Sequence, residues 1–301
     1  SRSLMDRWLI SMAQSLVRDV NAEMKAYRLF TVIPRVLGFI DHLTNWYIRR
    51  SRRRFWRAED DRDKQCAFET LYEVLCLFSR LLAPILPFMA DLLYLRLEVG
   101  TRPEALDSVH LERFPVEDET KVDEALERAM ASVRAIVVLG RNLREQHRLP
   151  VRQPLALLEV ALSGDCSRLV NEKELQDYIL DELNIKRLVI VGDSRDLVEL
   201  QAKANFRVLG QRLGKKMKDV ANAIGKLEQE QIAALIAGES LTIAGESISA
   251  QDIQVVQIPR VEGAVAASAT ETIRIDTEVT RELRLERLAR EVVSKVATAR
   301  K

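Results

Sequence analysis

Apolar residues return at helical spacing through the first half of the chain, and this periodicity constrains the fold more than any other feature. Leu9, Met12, Leu16, Val20 and Met24 predict an amphipathic helix from Leu4 to about Tyr27. Val32, Val36, Phe39, Ile40, Leu43 and Tyr47 predict a second from about Val32 to Trp56, with Pro34 in its first turn, where a missing N–H costs little. A third covers Asp63 to Leu82, until Pro84 and Pro87 of APILP break it, and Phe88 to Val99 resumes it. After a loop containing Pro103 and Pro115, the spacing of Val122, Leu126, Met130, Val133 and Val137 predicts a long helix from Asp118 to Gln146. Long helices with short connections make an antiparallel bundle.

The pattern changes at Pro150. Leu155–Leu162, Leu188–Val191 and Gln254–Ile258 are short and rich in Val, Ile and Leu, as strands are. Helices are predicted over 168–182, 205–227, 228–237 and 281–300, and ESLTIAGESISAQDIQVV reads as turns and short strands. The expected fold is mainly α: a helical bundle over 1–150, then a smaller α+β region over 151–301 that carries a basic helix.

A stretch of about 18 apolar residues, which a membrane-spanning helix needs, does not occur. The opening SRSLMDRW has no signal-peptide core and enters helical sequence at once. VATARK ends inside a helical pattern, so both ends suggest a piece of a longer protein. Cys66, Cys76 and Cys166 have neither paired nor metal-ligand spacing, which fits a reducing cytoplasm. Cys76, among apolar neighbours, is expected in the core.

The net charge of +1 conceals a segregation. Residues 1–56 carry eleven Lys and Arg against four acids, residues 112–127 seven acids against two bases, and residues 203–218 six bases and no acid. The densest basic run is LTNWYIRRSRRRFW, Leu43 to Trp56, with Arg49, Arg50, Arg52, Arg53 and Arg54 between Trp46 and Trp56. On a helix at about 100° per residue, Arg49, Arg52 and Arg53 fall away from the apolar stripe, whereas Arg50 and Arg54 continue it. Either the helix outruns the bundle there, or those two arginines are partly buried against acids such as Asp60 and Asp61. A helix C-terminus favours cations whatever its function. An RNA-facing surface explains more, because Arg grips phosphate bidentately and Trp offers a face to an unstacked base. A second patch puts Arg212, Lys215, Lys216 and Lys218 within two turns, and Arg141, Arg144, Arg148 and Arg152 lie where the two halves join. Three such clusters on a neutral chain point to a polyanion met by particular surfaces.

No catalytic signature accompanies them. The sequence has no GxxxxGK[ST], no GxGxxG after a strand, no HExxH and no GxSxG. His42, His110 and His147 have no ligand spacing. The acid-rich 112–127 stretch is expected on the surface, away from RNA.

LTNWYIRRSRRRFW closely resembles the arginine-rich signature in the anticodon-binding bundle of isoleucyl-tRNA synthetases. MDRWLISMAQSLV resembles the opening helix of that bundle, and LYEVLCLFSRLLAPILPFMADLLY its proline-broken middle helix. SVHLERFP, VRQPL, DELNIK, NFRVLGQRLGKKMK and RLERLAREVVSKVATARK follow in the order of the family, so the likeness covers essentially all 301 residues. The later motifs are similar to the eukaryote-like type of the enzyme, which lacks a C-terminal cysteine–zinc module.

The resemblance implies a parent enzyme that activates isoleucine with ATP and attaches it to its tRNA, working in the cytoplasm with no membrane. The HIGH and KMSKS motifs that grip ATP are absent here. The resemblance therefore implies no cofactor in this segment, ATP and magnesium being used by a catalytic domain outside it. The implied partners are the anticodon stem-loop of the isoleucine tRNA and the catalytic and editing domains of the same chain. The implied tRNA-binding residues are Asn45, Trp46, Arg49, Arg52, Arg53, Trp56, Arg144, Arg152, Arg212, Lys215, Lys216 and Lys218. In the related methionyl enzymes a tryptophan near the end of the corresponding helix stacks on an anticodon base, and Trp56 is its nearest match. Asn45 either reads RNA or hydrogen-bonds a neighbouring helix. Gln211 stands where the family has a basic residue, and Arg287 where it has glycine. Two rival functions are a free-standing RNA-binding paralogue and a helical protein-interaction scaffold whose arginines meet acidic partners.

Overall fold

A computed structural model of the chain describes residues 2–57, 61–163, 167–192, 197–206, 208–209, 217–236, 238–243, 245–259, 263–268 and 270–300. The chain divides into two compact units, 1–130 and 131–301.

The first unit is built from helices. Ser3 and Asp6 form a reciprocal capping box that starts α1, Leu4–Lys25. α1 buries Trp8, Leu9, Val17 and Val20 completely or nearly so. After a turn at Tyr27 (φ +56°) the chain returns as α2, Leu29–Asp41. A π-helical segment, His42–Ile48, and α3, Arg49–Arg57, continue it without a break. α2 therefore starts earlier than the sequence pattern suggests, and Pro34 lies inside it rather than in its first turn. The acceptor that loses its N–H partner there is the carbonyl of Phe30, a solvent-exposed residue.

α4, Asp61–Leu82, packs against α1, with Phe78 5.3 Å from Phe39 of α2 between ring centroids. Pro87 occupies the first turn of α5, Pro87–Leu97, as the APILP break predicts. Cys76 is buried in α4, and burial pushes its thiol up to about 11. Glu98, also buried, is gripped by Arg80 and by Arg102.

The last helix of the bundle starts later than predicted. Residues 119–121 form a short 3-10 turn, Val122 is extended, and Asp123 caps α6, Glu124–Gln146, by accepting from the Leu126 N–H at 3.0 Å. In the acid-rich stretch 112–127 only Pro115 and Leu126 are buried. Glu127 accepts from the hydroxyls of Ser11 and Ser15 on α1, and Glu124 pairs with Arg18 at 3.1 Å. The division between the units falls inside α6, at Met130/Ala131.

The second unit is mixed. β1, Leu155–Leu162, leads through α7, Ser167–Asn171, and α8, Lys173–Leu183, to β2, Ile185–Val191, which pairs with β1 in parallel. Two short helices thus stand where the sequence suggests one. β7, Ala264–Ala267, and β8, Glu271–Ile275, complete a sheet of order β2-β1-β8-β7. Gly263 (φ +140°) enters it where a Cβ would lie 2.9 Å from the Ile275 carbonyl. β3, Val198–Ala204, pairs antiparallel with β6, Ile253–Pro259. α9, Met217–Ile224, α10, Gln229–Ile236, and the hairpin of β4, Leu241–Ile243, and β5, Glu246–Ile248, share an apolar cluster with that pair: Val220, Ile224, Ile232, Leu235, Ile243 and Ile248. α11, Arg281–Ala299, follows Thr280, whose hydroxyl caps it. Arg287 sits inside α11 and pairs with Glu291 at 2.9 Å.

Candidate nucleic-acid interface

The arginine run is sorted by burial, and the sorting follows the helical phase. Arg49, Arg52 and Arg53 are exposed, whereas Arg50 and Arg54 are half-buried. Arg54 turns inward to two carboxylates. Its terminal nitrogens reach Asp6 Oδ1 and Oδ2 at 2.8 and 2.7 Å, and its Nε lies 3.0 and 2.9 Å from the two oxygens of Asp63. The acids that hold it are therefore Asp6 and Asp63, not Asp61, and Asp60 lies outside the described residues. Asp6 is fully buried. Burial alone would raise its pKa, but hydrogen bonds from Arg54 and from the Tyr47 hydroxyl (2.7 Å), with the charge of Arg54, hold the carboxyl below its usual value. The same burial, with the adjacent Asp6 charge, raises the Tyr47 hydroxyl. Arg54 is held in its cationic form, the two acids outweighing its desolvation.

Two of the outward arginines, Arg49 and Arg52, border a groove of about 610 Å³. Thr44, Asn45 and Ile48 of the π-helical segment and Arg49, Arg52, Phe55 and Trp56 of α3 form one side, and Phe68 and Leu71 of α4 the other. Phe55 and Phe68 meet edge-to-face, 5.0 Å between centroids, which gives the groove an aromatic wall. Trp56 is 72% exposed, and the Arg52 guanidinium carbon lies 5.2 Å from its ring centroid. An apolar surface bordered by guanidinium groups can take a planar base while the cations meet its phosphates. Thr44, Ile48, Phe55, Phe68 and Leu71 are the lining residues that sequence reasoning missed. An aromatic at position 68 on a polar stretch of α4 was the available signal.

Asn45 is exposed in the groove, and its Nδ2 donates to Asp41 Oδ1 at 2.7 Å. That bond lies within its own helix, not to a neighbouring one, and leaves the amide oxygen as an acceptor. Two of the expected RNA-binding residues are placed differently. Trp46 is 8% exposed and belongs to the bundle core, so it has no face for a base. Trp46 and Tyr47 both lie on the buried stripe of Phe39 and Leu43, inside the π-helical segment. Arg144 is 1% exposed. Its terminal nitrogens donate to the carbonyls of Pro150 and Gln153 (3.0 and 3.1 Å) and of Leu183 and Asn184 (2.5 and 3.2 Å). Burial pushes that guanidinium down to about 10, which leaves it charged at neutral pH. Arg144 is a fastener of the second unit, not a surface cation. Arg152 and Lys218 are exposed in that unit, and Arg212, Lys215 and Lys216 lie outside the described residues.

Among the described residues no group of three His, Cys, Asp or Glu side chains could hold a metal ion, and no helix is long and apolar enough to cross a membrane.

A helical bundle that presents arginines and an exposed tryptophan along one groove offers a surface suited to a polyanion with accessible planar groups. The chain belongs to the family described as the anticodon-binding domain of tRNA ligase, whose model matches residues 6–162. It is 42% identical over 301 residues to the isoleucine–tRNA ligase of Protochlamydia amoebophila, covering 98% of this chain and 28% of that protein. Against the isoleucine–tRNA ligase of Chlamydia abortus it is 40% identical over 306 residues, 100% of this chain and 29% of the relative. That of Chlamydia trachomatis serovar D is 40% identical over 301 residues, 98% and 28%. The chain thus spans less than a third of the length of these relatives.

Proposed function

We propose that this chain is the anticodon-reading part of an isoleucine–tRNA ligase, a cytoplasmic enzyme that attaches isoleucine to its tRNA with ATP. In this reading the bundle, residues 1 to about 150, holds the anticodon stem-loop. Residues 151–301 form the region that follows it, and catalytic and editing domains of the same polypeptide carry the chemistry. One observation carries the reading: the groove of Arg49, Arg52 and Trp56 lies inside the segment matched by the anticodon-binding family. The loop of a tRNA is a suitable target, since its bases are already accessible and cost little to unstack. Arg49, Arg52 and Arg53 contact phosphates, Trp56 stacks on one splayed base, and Asn45 accepts a hydrogen bond from a base edge. Arg152, Lys218 and the basic run with Arg212, Lys215 and Lys216 extend the contact to the RNA backbone.

A titration of the chain with the labelled anticodon stem-loop of an isoleucine tRNA, followed by fluorescence anisotropy at several salt concentrations, tests this. The expected outcome is tighter binding than to stem-loops with other anticodons, weakening as salt rises. Equal binding to all stem-loops would favour a general RNA-binding paralogue. No binding would favour a protein scaffold.

A further inference from the structure

We infer that Asp6, which is remote in sequence from the groove and lines none of it, is the positioning residue that holds the groove in shape for RNA, an inference that rests on the RNA-binding reading above. The groove has two sides, α3 with the π-helical segment and α4, and each is tied to the Asp6 carboxylate. On the α3 side Arg54 reaches both Asp6 oxygens, at 2.8 and 2.7 Å, from a position between Arg52 and Trp56. The same guanidinium meets Asp63, near the start of α4, at 2.8 to 3.0 Å. Within the π-helical segment Tyr47 donates its hydroxyl to Asp6 Oδ1 at 2.7 Å. That hydroxyl also lies 3.1 Å from the carbonyl of Ala67, the residue before Phe68 of the opposite side. One buried carboxylate of α1 therefore joins every element that borders the groove.

The charge matters as well as the geometry. Arg54 stands in a run of five arginines, of which Arg49, Arg52 and Arg53 are exposed and are the ones assigned to phosphates. Its half-buried cation is neutralised from within by Asp6 and Asp63. Without the Asp6 charge only Asp63, at the start of α4, still holds the guanidinium, and α3 loses its charged tie to α1 and shifts against it. Arg52 and Trp56, two residues to either side, move with it. Asn in place of Asp6 preserves size and can still hydrogen-bond Tyr47 and the Ser3 N–H, but gives Arg54 a neutral partner. Phe in place of Tyr47 removes a hydrogen bond to the same carboxylate and leaves the ion pair in place. The pair of variants separates positioning from general stability.

The test uses the chain labelled with 5-fluorotryptophan, in which the Trp56 fluorine resonance is assigned with W56F. Asp6→Asn, Tyr47→Phe and Asp63→Asn are compared for melting temperature, affinity for the anticodon stem-loop, and Trp56 chemical shift. The expected result is a shifted Trp56 resonance and at least tenfold weaker binding in D6N. Y47F should melt lower than the parent but keep its resonance and bind within twofold. D63N, which touches the same guanidinium from a half-buried site, should fold even if D6N does not, moving the resonance the same way and weakening binding about threefold. An unmoved Trp56 resonance in D63N and in folded D6N, or affinity losses that follow melting temperature alike in all three, would overturn the inference. If the parent chain binds no stem-loop, the functional reading fails by itself, and the fluorine shifts still decide whether Asp6 sets the groove.

Discussion

The guanidinium of Arg52 lies over the indole of Trp56, 5.2 Å from carbon to ring centroid, one helical turn apart on the exposed face of α3. A cation so placed is partly held by the ring quadrupole and is preset for a phosphate beside a stacked base. The two residues nevertheless have separable jobs. Replacing Arg52 and Arg53 with Ala should weaken binding to all stem-loops and flatten the log–log salt dependence by roughly 0.7–0.9 for each phosphate left without its arginine. Trp56→Ala should cost about 1–3 kcal/mol of binding and leave the salt slope nearly unchanged. Anisotropy titrations of both variants at several salt concentrations check this. Wild-type affinity and slope in both folded variants would reduce the cluster to a charged helix end.

The two tryptophans that flank the arginines should separate by stability. Trp46 is buried and Trp56 exposed, so Trp46→Ala should cost about 3–5 kcal/mol of folding free energy. Trp56→Ala should stay within about 0.5 kcal/mol of the parent. Urea unfolding of the two variants measures the contrast. Similar losses at both positions would contradict the core placement of Trp46.

That contrast shows where the sequence was legible. Amphipathic spacing was enough to locate α1 and α4, and Val and Leu content to locate β1, although α1 is buried nearly all round from Trp8 to Val17. Helical spacing also put Arg49, Arg52 and Arg53 off the apolar stripe and Arg50 and Arg54 on it, leaving open whether the helix outruns the bundle there. The arginine-rich motif pointed Trp46 at RNA, but its spacing, three residues after Leu43 and seven after Phe39, puts it on the buried stripe. Asp6 was out of reach for a different reason. A carboxylate near a helix start reads as part of a cap, and its pairing with Arg54 exists only after α1, α3 and α4 come together. β3 and β7 were missed because alanines weaken their apolar signal, and β8 because its buried Glu271 and Thr272 read as polar loop residues. Composition changes at Pro150, whereas the compact division falls earlier, inside α6. The second half of α6 packs with α8, where a Cβ on Gly140 would meet Leu183 Cδ1 at 2.5 Å.

Asp6 also fixes an acid dependence. Its folded-state pKa lies below the ordinary 3.8, so near that pH the unfolded chain binds more protons. The stability it contributes is complete above the unfolded value and is lost as pH falls through the lower folded one. Asp6→Asn should therefore lower stability at neutral pH by about 3 kcal/mol, near the low end for breaking a buried pair because Asp63 still serves Arg54. The difference from the parent should hold from neutral pH to roughly pH 5 and shrink as the pH drops below about 4. Urea melts across that range measure it, and a gap that widened toward acid would contradict the assigned direction.

Arg144 gives the opposite kind of test, because here a cation lies inside and its contacts are neutral. Its two terminal nitrogens serve four main-chain carbonyls: Pro150 and Gln153 where α6 gives way to β1, and Leu183 and Asn184 where α8 turns into β2. Asn184 has φ +50°, so the end of α8 is itself in a left-handed conformation that this contact helps to fix. Met at position 144 would fill much of the space but leave those carbonyls without their donors, each worth about 1–3 kcal/mol when buried and unsatisfied. Arg144→Met should lower the stability of the second unit by about 3 kcal/mol or more. Because the guanidinium is 1% exposed and meets no solvent, the salt slope of RNA binding should stay that of the parent, whereas Arg152→Ala should lower the slope without changing stability. Hydrogen exchange over residues 150–190, with anisotropy titrations alongside, reads both effects. Faster exchange there with an unchanged slope is the expected result for Arg144→Met, and a reduced slope with unchanged exchange would return Arg144 to the RNA-facing surface.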